Sequence, residues 1–181
     1  MKNDSSAQMQ NQALDLEIFS KNQDKALALL DACSLSMDLA KSLALRTALS
    51  IDENDIPKEE IIPMGIALQC FLQNIVLKIE DAQKLTEVDM NKTCQSIRGI
   101  MLCLKETLRD MNLNKSHTCN IFFLVDEAME MFSVDVEALS DDVLESKNLV
   151  LSAYKQVAQN NKNTLTRPSS QRAANDPRDA A

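Results

Sequence analysis

The sequence predicts an all-α protein, and its composition carries that prediction. Only two glycines occur among 181 residues, although a chain of this length ordinarily has roughly a dozen. Glycine supplies the positive φ angles of tight hairpin turns, so a β-sandwich, a β-barrel and a glycine-rich phosphate loop are disfavoured. Tryptophan is absent and aromatic residues make up 3% of the chain. Leu, Ala, Met, Lys, Glu and Gln take their place, and these residues favour helices.

The length predicts one domain with one hydrophobic core. We expect a single-domain antiparallel bundle of four long helices plus a short helix over residues 20–160. Residues 1–19 are predicted to be a flexible N-terminal segment. Residues 161–181 have no periodic apolar face, and such a composition is typical of a disordered tail.

The first predicted helix covers about residues 21–50. Ser20 and Gln23 have the spacing of a capping box, which predicts a helix start. An apolar stripe then alternates steps of four and three residues: Ala26, Leu30, Cys33, Met37, Ala40 and Ala44. Because half of this stripe is alanine, a neighbouring helix can approach closely.

The second predicted helix begins near the sequence PKEE at residues 57–60. Proline followed by acidic residues is typical of a first helical turn. Pro63 either kinks this helix or marks its start. From Met64 to about Leu85 the helix is apolar on most of its circumference, which predicts that it is the buried, central helix.

The third predicted helix starts at Thr86, which has capping spacing with Asp89, and ends near Met111. Its apolar residues follow steps of 4-3-4-3-4-3, the pattern of knobs-into-holes packing. This Met-rich seam consists of Met90, Cys94, Ile97, Met101, Leu104, Leu108 and Met111. Arg98, Lys105 and Arg109 lie beside or opposite the seam.

Two further helices are predicted at about 117–133 and 140–159. The run IFFLV at 121–125 resembles a strand by itself, but its continuation keeps the helical step. That step is carried by Phe122, Val125, Met129 and Phe132. A break is predicted between residues 133 and 139, because Ser140 and the two aspartates after it are typical of an N-cap and first turn.

Charge and cysteine usage predict the environment of the protein. A net charge of −8 disfavours direct binding to nucleic acid and docking on anionic lipid, and it is compatible with a basic partner. The longest apolar stretch, 66–79, is too short and too polar to span a bilayer. Five cysteines without a CxxC pair are expected to be reduced and buried.

The N-terminus has no apolar segment of signal-peptide type. We therefore expect a soluble, cytoplasmic protein, or one secreted without a cleavable signal peptide if it acts as an effector.

Catalytic and metal-binding patterns are weak. His117 is the single histidine, and Cys119 follows it by two residues, but zinc sites usually show paired ligands that this chain lacks. Glu127 and Glu130 share a helix face, yet a di-iron bundle requires Glu-x-x-His motifs on two helices. The sequence therefore predicts no enzyme activity, no metal and no cofactor.

Two surfaces are candidates for binding a partner. Part of the Met-rich seam suits a dimer contact, although an ordinary core is the alternative: Met90, Ile97, Met101, Leu104 and Leu108. The acidic segment 126–145 contains eight carboxylates and no basic residue. Its candidate residues are Asp126, Glu127, Glu130, Asp135, Glu137, Asp141 and Asp142. A solvated face is one alternative to a docking surface for a basic partner. Internal pairing with the helix that carries Arg98, Lys105 and Arg109 is another.

The function predicted from these features is protein–protein interaction, as an adaptor, regulator or effector-like protein that forms a homodimer. One alternative is an acidic inhibitor or nucleic-acid mimic that blocks a basic protein. A second alternative is a helical bundle that binds a small apolar ligand between its helices.

Overall fold

The computed structural model describes residues 3–53, 56–109 and 115–165, and four α-helices cover most of them. They are α1 (Asn3–Asp52), α2 (Lys58–Gln83), α3 (Asn91–Arg109) and α4 (Lys115–Leu165). No strand occurs in these ranges, so the all-α prediction is confirmed. The chain divides into two compact units, Met1–Glu145 and Ser146–Ala181. The described part of the second unit is the C-terminal end of α4.

Helices α1 and α2 contact each other through polar and sulfur atoms as well as apolar side chains. Cys33 Sγ donates a hydrogen bond to the carbonyl oxygen of Ile75 over 3.7 Å. Thr47 Oγ1 contacts Met64 Sδ over 3.6 Å. From the first contact to the second, the residue number rises in α1 and falls in α2.

The α2–α3 and α1–α4 contacts within the first unit follow the same order. Arg98 of α3 pairs with Glu80 near the end of α2, whereas Leu108 lies against Gly65 near its start. Cys119 Sγ near the start of α4 donates to the carbonyl oxygen of Ala48 over 3.3 Å, whereas Glu130, farther along α4, pairs with Lys41.

The core is assembled from the stripes that the sequence predicts for α1 and α3. The whole α1 stripe, from Ala26 to Ala44, is buried. The largest fully buried side chains come from all four helices and the α2–α3 connector: Leu30, Met37, Ile51, Leu68, Leu72, Ile75, Ile79, Met90, Ile97, Leu104, Phe122 and Met129. These predictions of inward faces are confirmed.

The predicted start of the first helix, at residue 21, is wrong, because α1 already begins at Asn3. Residues 3–20 contain neither proline nor glycine, so nothing in their backbone chemistry interrupts a helix. An ion pair between Glu17 and Lys21 crosses the predicted boundary, with Nζ and Oε1 2.7 Å apart. Glutamate four residues before lysine is the favourable helical order.

The start of α2 is confirmed, and Pro63 lies inside this helix. Pro57 occupies the N-cap position, and Glu59 and Glu60 are in the first turn, where carboxylates interact favourably with the helix dipole. Helix α2, expected to be the buried, central helix, buries Leu68, Leu72 and Ile75 completely but leaves one side exposed. Ile66 and Leu77, on the face directed away from the core, are 52% and 50% exposed.

Helix α3 begins later than predicted, at Asn91. Thr86 and Asp89 form local turns in the connector: Thr86 Oγ1 accepts from the Val88 N–H over 3.3 Å, and Asp89 Oδ1 accepts from the Asn91 N–H over 3.0 Å. Helix α3 ends at Arg109, and Met111, the last residue of the predicted seam, lies outside the described residues.

The predicted break at 133–139 and the predicted N-cap at Ser140 are also wrong, because α4 runs through them without interruption. The inward stripe continues across the proposed break, with buried residues at steps of 4-3-4: Phe132, Val136, Leu139 and Val143. Ser140 Oγ donates to the Val136 carbonyl oxygen over 3.0 Å instead of capping a new helix. The two predicted helices are therefore one, which ends at Leu165. Residues 166–181 of the predicted tail lie outside the described residues.

The two glycines occupy opposite packing environments, which predicts opposite effects of substitution. A Cβ added at Gly65 would lie 2.6 Å from both Cδ atoms of Leu108, whereas a Cβ at Gly99 would have no neighbour within 4 Å. Gly99→Ala should stabilise the fold by about 0.5–1 kcal/mol through helix propensity. Gly65→Ala should be at least about 1 kcal/mol less stable than Gly99→Ala, because Leu108 must move.

Urea unfolding of the two variants tests this difference. Adding Leu108→Ala to Gly65→Ala should remove the clash, so the effects of the two substitutions should not add. Equal stabilisation by both glycine substitutions would contradict the close α2–α3 approach.

Candidate functional site

The Met-rich seam proposed as a partner surface lies mainly in the core of this chain. Met90, Ile97 and Leu104 are fully buried, and Met101 and Leu108 are partly buried and pack against the core. The seam is the apolar face with which α3 packs on the rest of the fold. The structure therefore favours the core interpretation of these residues, and Met101 is the seam member that reaches the edge of a surface groove.

The acidic segment 126–145 divides into two groups on α4. Glu130 forms an ion pair with Lys41 of α1, and Asp126 is half-buried, with its Oδ1 unpartnered among the described residues. The hydrogen bond to Glu130 raises the pKa of Lys41, and the nearby charges of Asp126 and Asp38 act in the same direction. This group faces α1 of its own chain.

The remaining acidic residues of the segment are, like Glu130, exposed to solvent. They are Glu127, Asp135, Glu137, Asp141, Asp142 and Glu145. Large apolar side chains lie among these carboxylates: Met131 and Val134 are each 63% exposed, and Leu124 is 44% exposed.

One line of these residues has regular helical spacing. Steps of 4-3-4-3-4 connect exposed residues that we call the acidic–apolar stripe: Glu127, Met131, Val134, Ala138, Asp141 and Glu145. Its centre is apolar and its ends are carboxylates. Sequence reasoning missed the stripe because it considered only the carboxylates of the acidic segment and not the apolar residues between them. The 4-3 spacing from Glu127 was the signal that could have found it.

A shallow groove of about 420 Å³ lies on the surface between α2 and α3. The residues that line this α2–α3 groove are Ile66, Gln69, Cys70, Gln73, Asn74, Leu77 and Met101. None of them is charged, and the sequence has no charged residue from Ile61 to Leu77. In a chain with 25% charged residues, this groove is an unusually neutral and apolar surface.

Helix α3 contributes positive charge beside the groove. Exposed residues at steps of 4-3-4 form a basic stripe: Arg98, Leu102, Lys105 and Arg109. Arg98 and Lys105 lie within about one helical turn on either side of Met101, which lines the groove. Arg98 pairs with Glu80, and Arg109 Nη1 lies 3.5 Å from the carboxylate of Glu106. Helix α3 has four basic residues against one acidic residue.

The cysteines are all free, but the prediction that all are buried is wrong. Cys33, Cys94 and Cys119 are buried, whereas Cys70 and Cys103 are exposed. Burial raises the pKa of Cys33 to about 11. It also raises the pKa of Cys94, with a further contribution from the charge of Glu80. These two thiols are therefore protonated at neutral pH and are poor nucleophiles.

The single histidine does not form a visible catalytic or metal centre. His117 is exposed at the start of α4, whereas the Cys119 thiol is buried against α1. Within the described residues, no group of three or more His, Cys, Asp or Glu side chains is placed to hold a metal ion.

Helix α2 has the length and apolarity of a membrane span, with a mean hydropathy of 1.5 over its most apolar window. A third of that window is buried inside the chain. Core helices of soluble proteins meet the same criteria, so one such helix is weak evidence for a membrane protein.

Comparison with known proteins gives no family model, no curated protein and no solved structure that matches this chain.

Proposed function

We propose that this chain is a non-enzymatic protein that acts through protein–protein contact, as a homodimer. The observation that carries the proposal is the ordered arrangement of exposed apolar side chains on the acidic–apolar stripe and in the α2–α3 groove. Isolated exposed apolar residues are ordinary on soluble proteins, whereas aligned ones favour an interaction surface. The five free thiols support a reducing compartment such as the cytoplasm.

The fold that we propose for this function is an antiparallel bundle of the four helices over the first unit. The residue numbers change in opposite directions between the two contacts of each helix pair, α1–α2, α2–α3 and α1–α4, and this supports the antiparallel arrangement. In such a bundle, the outer faces of α2, α3 and α4 are long helical surfaces, and a helix of a partner can dock along them.

Light scattering after gel filtration tests the homodimer. We expect the mass to approach twice the 20.2 kDa of the chain as protein concentration rises, because dimerisation follows mass action. A mass of one chain at every concentration, together with no protein captured by the tagged chain from its host, would rule out the proposed function.

A second candidate function is an inhibitor that presents the exposed carboxylates to a basic protein. The exposure of Glu127, Asp135, Glu137, Asp141 and Asp142 supports it. Binding to such a partner should weaken steeply with salt, since screening acts on exposed charges. Binding that survives neutralisation of these residues would count against it.

A further inference from the structure

We propose that the α2–α3 groove of one copy receives the acidic–apolar stripe of α4 from a second copy. This inference rests on the proposed homodimer and names its contact surfaces. Each copy has one groove and one stripe, so a two-fold dimer contains the contact twice.

The first support is the match of apolar surfaces. Ile66 and Leu77 of the groove are half exposed. Met131 and Val134 are still more exposed at the centre of the stripe. A helix that lays an apolar stripe into an apolar groove is a recurrent mode of recognition. Met101 and Met131 add flexible side chains that adapt to a partner.

The second support is the match of charges. Arg98, Lys105 and Arg109 make the α3 side of the groove basic, whereas the stripe carries Glu127, Asp141 and Glu145. Two copies with a net charge of −8 each repel one another in general. Self-association is therefore favoured where a basic surface of one copy meets an acidic surface of the other. Of the four helices, α3 is the one whose charged residues are mainly basic.

The same charges argue against a lipid surface as the occupant of the groove. An anionic bilayer attracts polybasic segments and repels a strongly acidic protein. The carboxylates of the second copy add opposite charge beside the basic stripe, which a neutral lipid surface does not supply.

Two charge-reversal variants test the contact. Variant S reverses the stripe with Glu127→Lys and Asp141→Lys. Variant R reverses the basic stripe with Lys105→Glu and Arg109→Glu. All four side chains are exposed, so both variants should keep the helical circular dichroism of the wild type. Each variant alone should dimerise at least about tenfold more weakly, because like charges then meet at both contacts.

An equimolar mixture of S and R should recover the dimer mass. In the mixed dimer, the reversed stripe of S meets the reversed groove side of R, and the two native surfaces meet at the other contact. Matched controls make the same charge changes on α1, away from both surfaces. Asp15→Lys with Asp31→Lys is the control for S, and Lys25→Glu with Arg46→Glu is the control for R. These controls should dimerise like the wild type.

The results of these experiments distinguish a failure of the groove–stripe contact from a failure of the proposed homodimer. A wild-type dimer with S and R also dimeric would overturn the contact and leave the homodimer standing. The same holds if the mixture stays monomeric or if the controls dissociate as strongly as S and R. A wild-type chain that is monomeric at every concentration would overturn both, as would a monomer that binds phosphatidylcholine vesicles through the groove.

Discussion

Replacing Phe122 with alanine is expected to lower the free energy of unfolding by about 3–5 kcal/mol, as for other fully buried phenylalanines. Phe122 is fully buried on α4. Its removal eliminates an aromatic ring from the core and leaves a cavity that neighbouring side chains fill only in part. Urea unfolding followed by circular dichroism measures the loss.

The neighbours of Phe122 provide controls, because they distinguish a helix from a strand in the IFFLV run. In a strand, Ile121, Phe123 and Val125 would share one face. The helix instead buries Ile121, Phe122 and Val125, leaves Phe123 partly buried and exposes Leu124. Leu124→Ala should therefore cost less than about 1 kcal/mol, and Phe123→Ala should be intermediate. A Phe123 variant less stable than the Phe122 variant would contradict the helical register.

The same periodicity explains what the sequence could predict. Steps of three and four residues identify which side of each helix is apolar, and the buried stripe from Ala26 to Ala44 and the seam around Ile97 follow from that alone. Helix ends are predicted from local capping patterns, and the same patterns also occur inside helices. Ser20 and Ser140 both resemble N-caps, yet each lies inside a longer helix. A serine followed by residues typical of a first helical turn favours a cap, but it does not by itself end the helix before it.

The candidate surfaces depend on how the helices pack against one another, and the apolar periodicity of a single helix does not specify that packing. Helix α2 is apolar nearly all round, and the sequence therefore predicts a central position. Its outer side remains exposed at Ile66 and Leu77 because the observed α1 and α3 contacts engage other sides of the helix. Met131 is an apolar residue of the kind that fills cores, yet it is exposed on the surface. Only the three-dimensional arrangement distinguishes an inward methionine from an outward one.

Introducing proline at Ala138 is expected to destabilise the protein by about 3 kcal/mol or more, because Ala138 lies in the interior of a continuous helix. Proline removes the hydrogen bond that the residue 138 N–H donates, and its ring collides with the carbonyl group of Val134 four residues earlier. Ala138 is exposed, so the loss does not include core packing. If a loop separated two helices here, as the sequence predicts, proline would be accepted at little cost.

Ala138→Gly provides the graded control, since glycine costs about 1 kcal/mol in a helix interior and keeps the N–H. The unfolding free energy is expected to be highest for the wild type, lower for the glycine variant and lowest for the proline variant. It is measured in urea at a protein concentration at which all three chains are monomeric, because Ala138 belongs to the proposed dimer contact. A proline variant as stable as the glycine variant would restore the predicted break between 133 and 139. The distinction also bears on the proposed contact: Glu127, Met131, Asp141 and Glu145 form one stripe because the helix between them is unbroken.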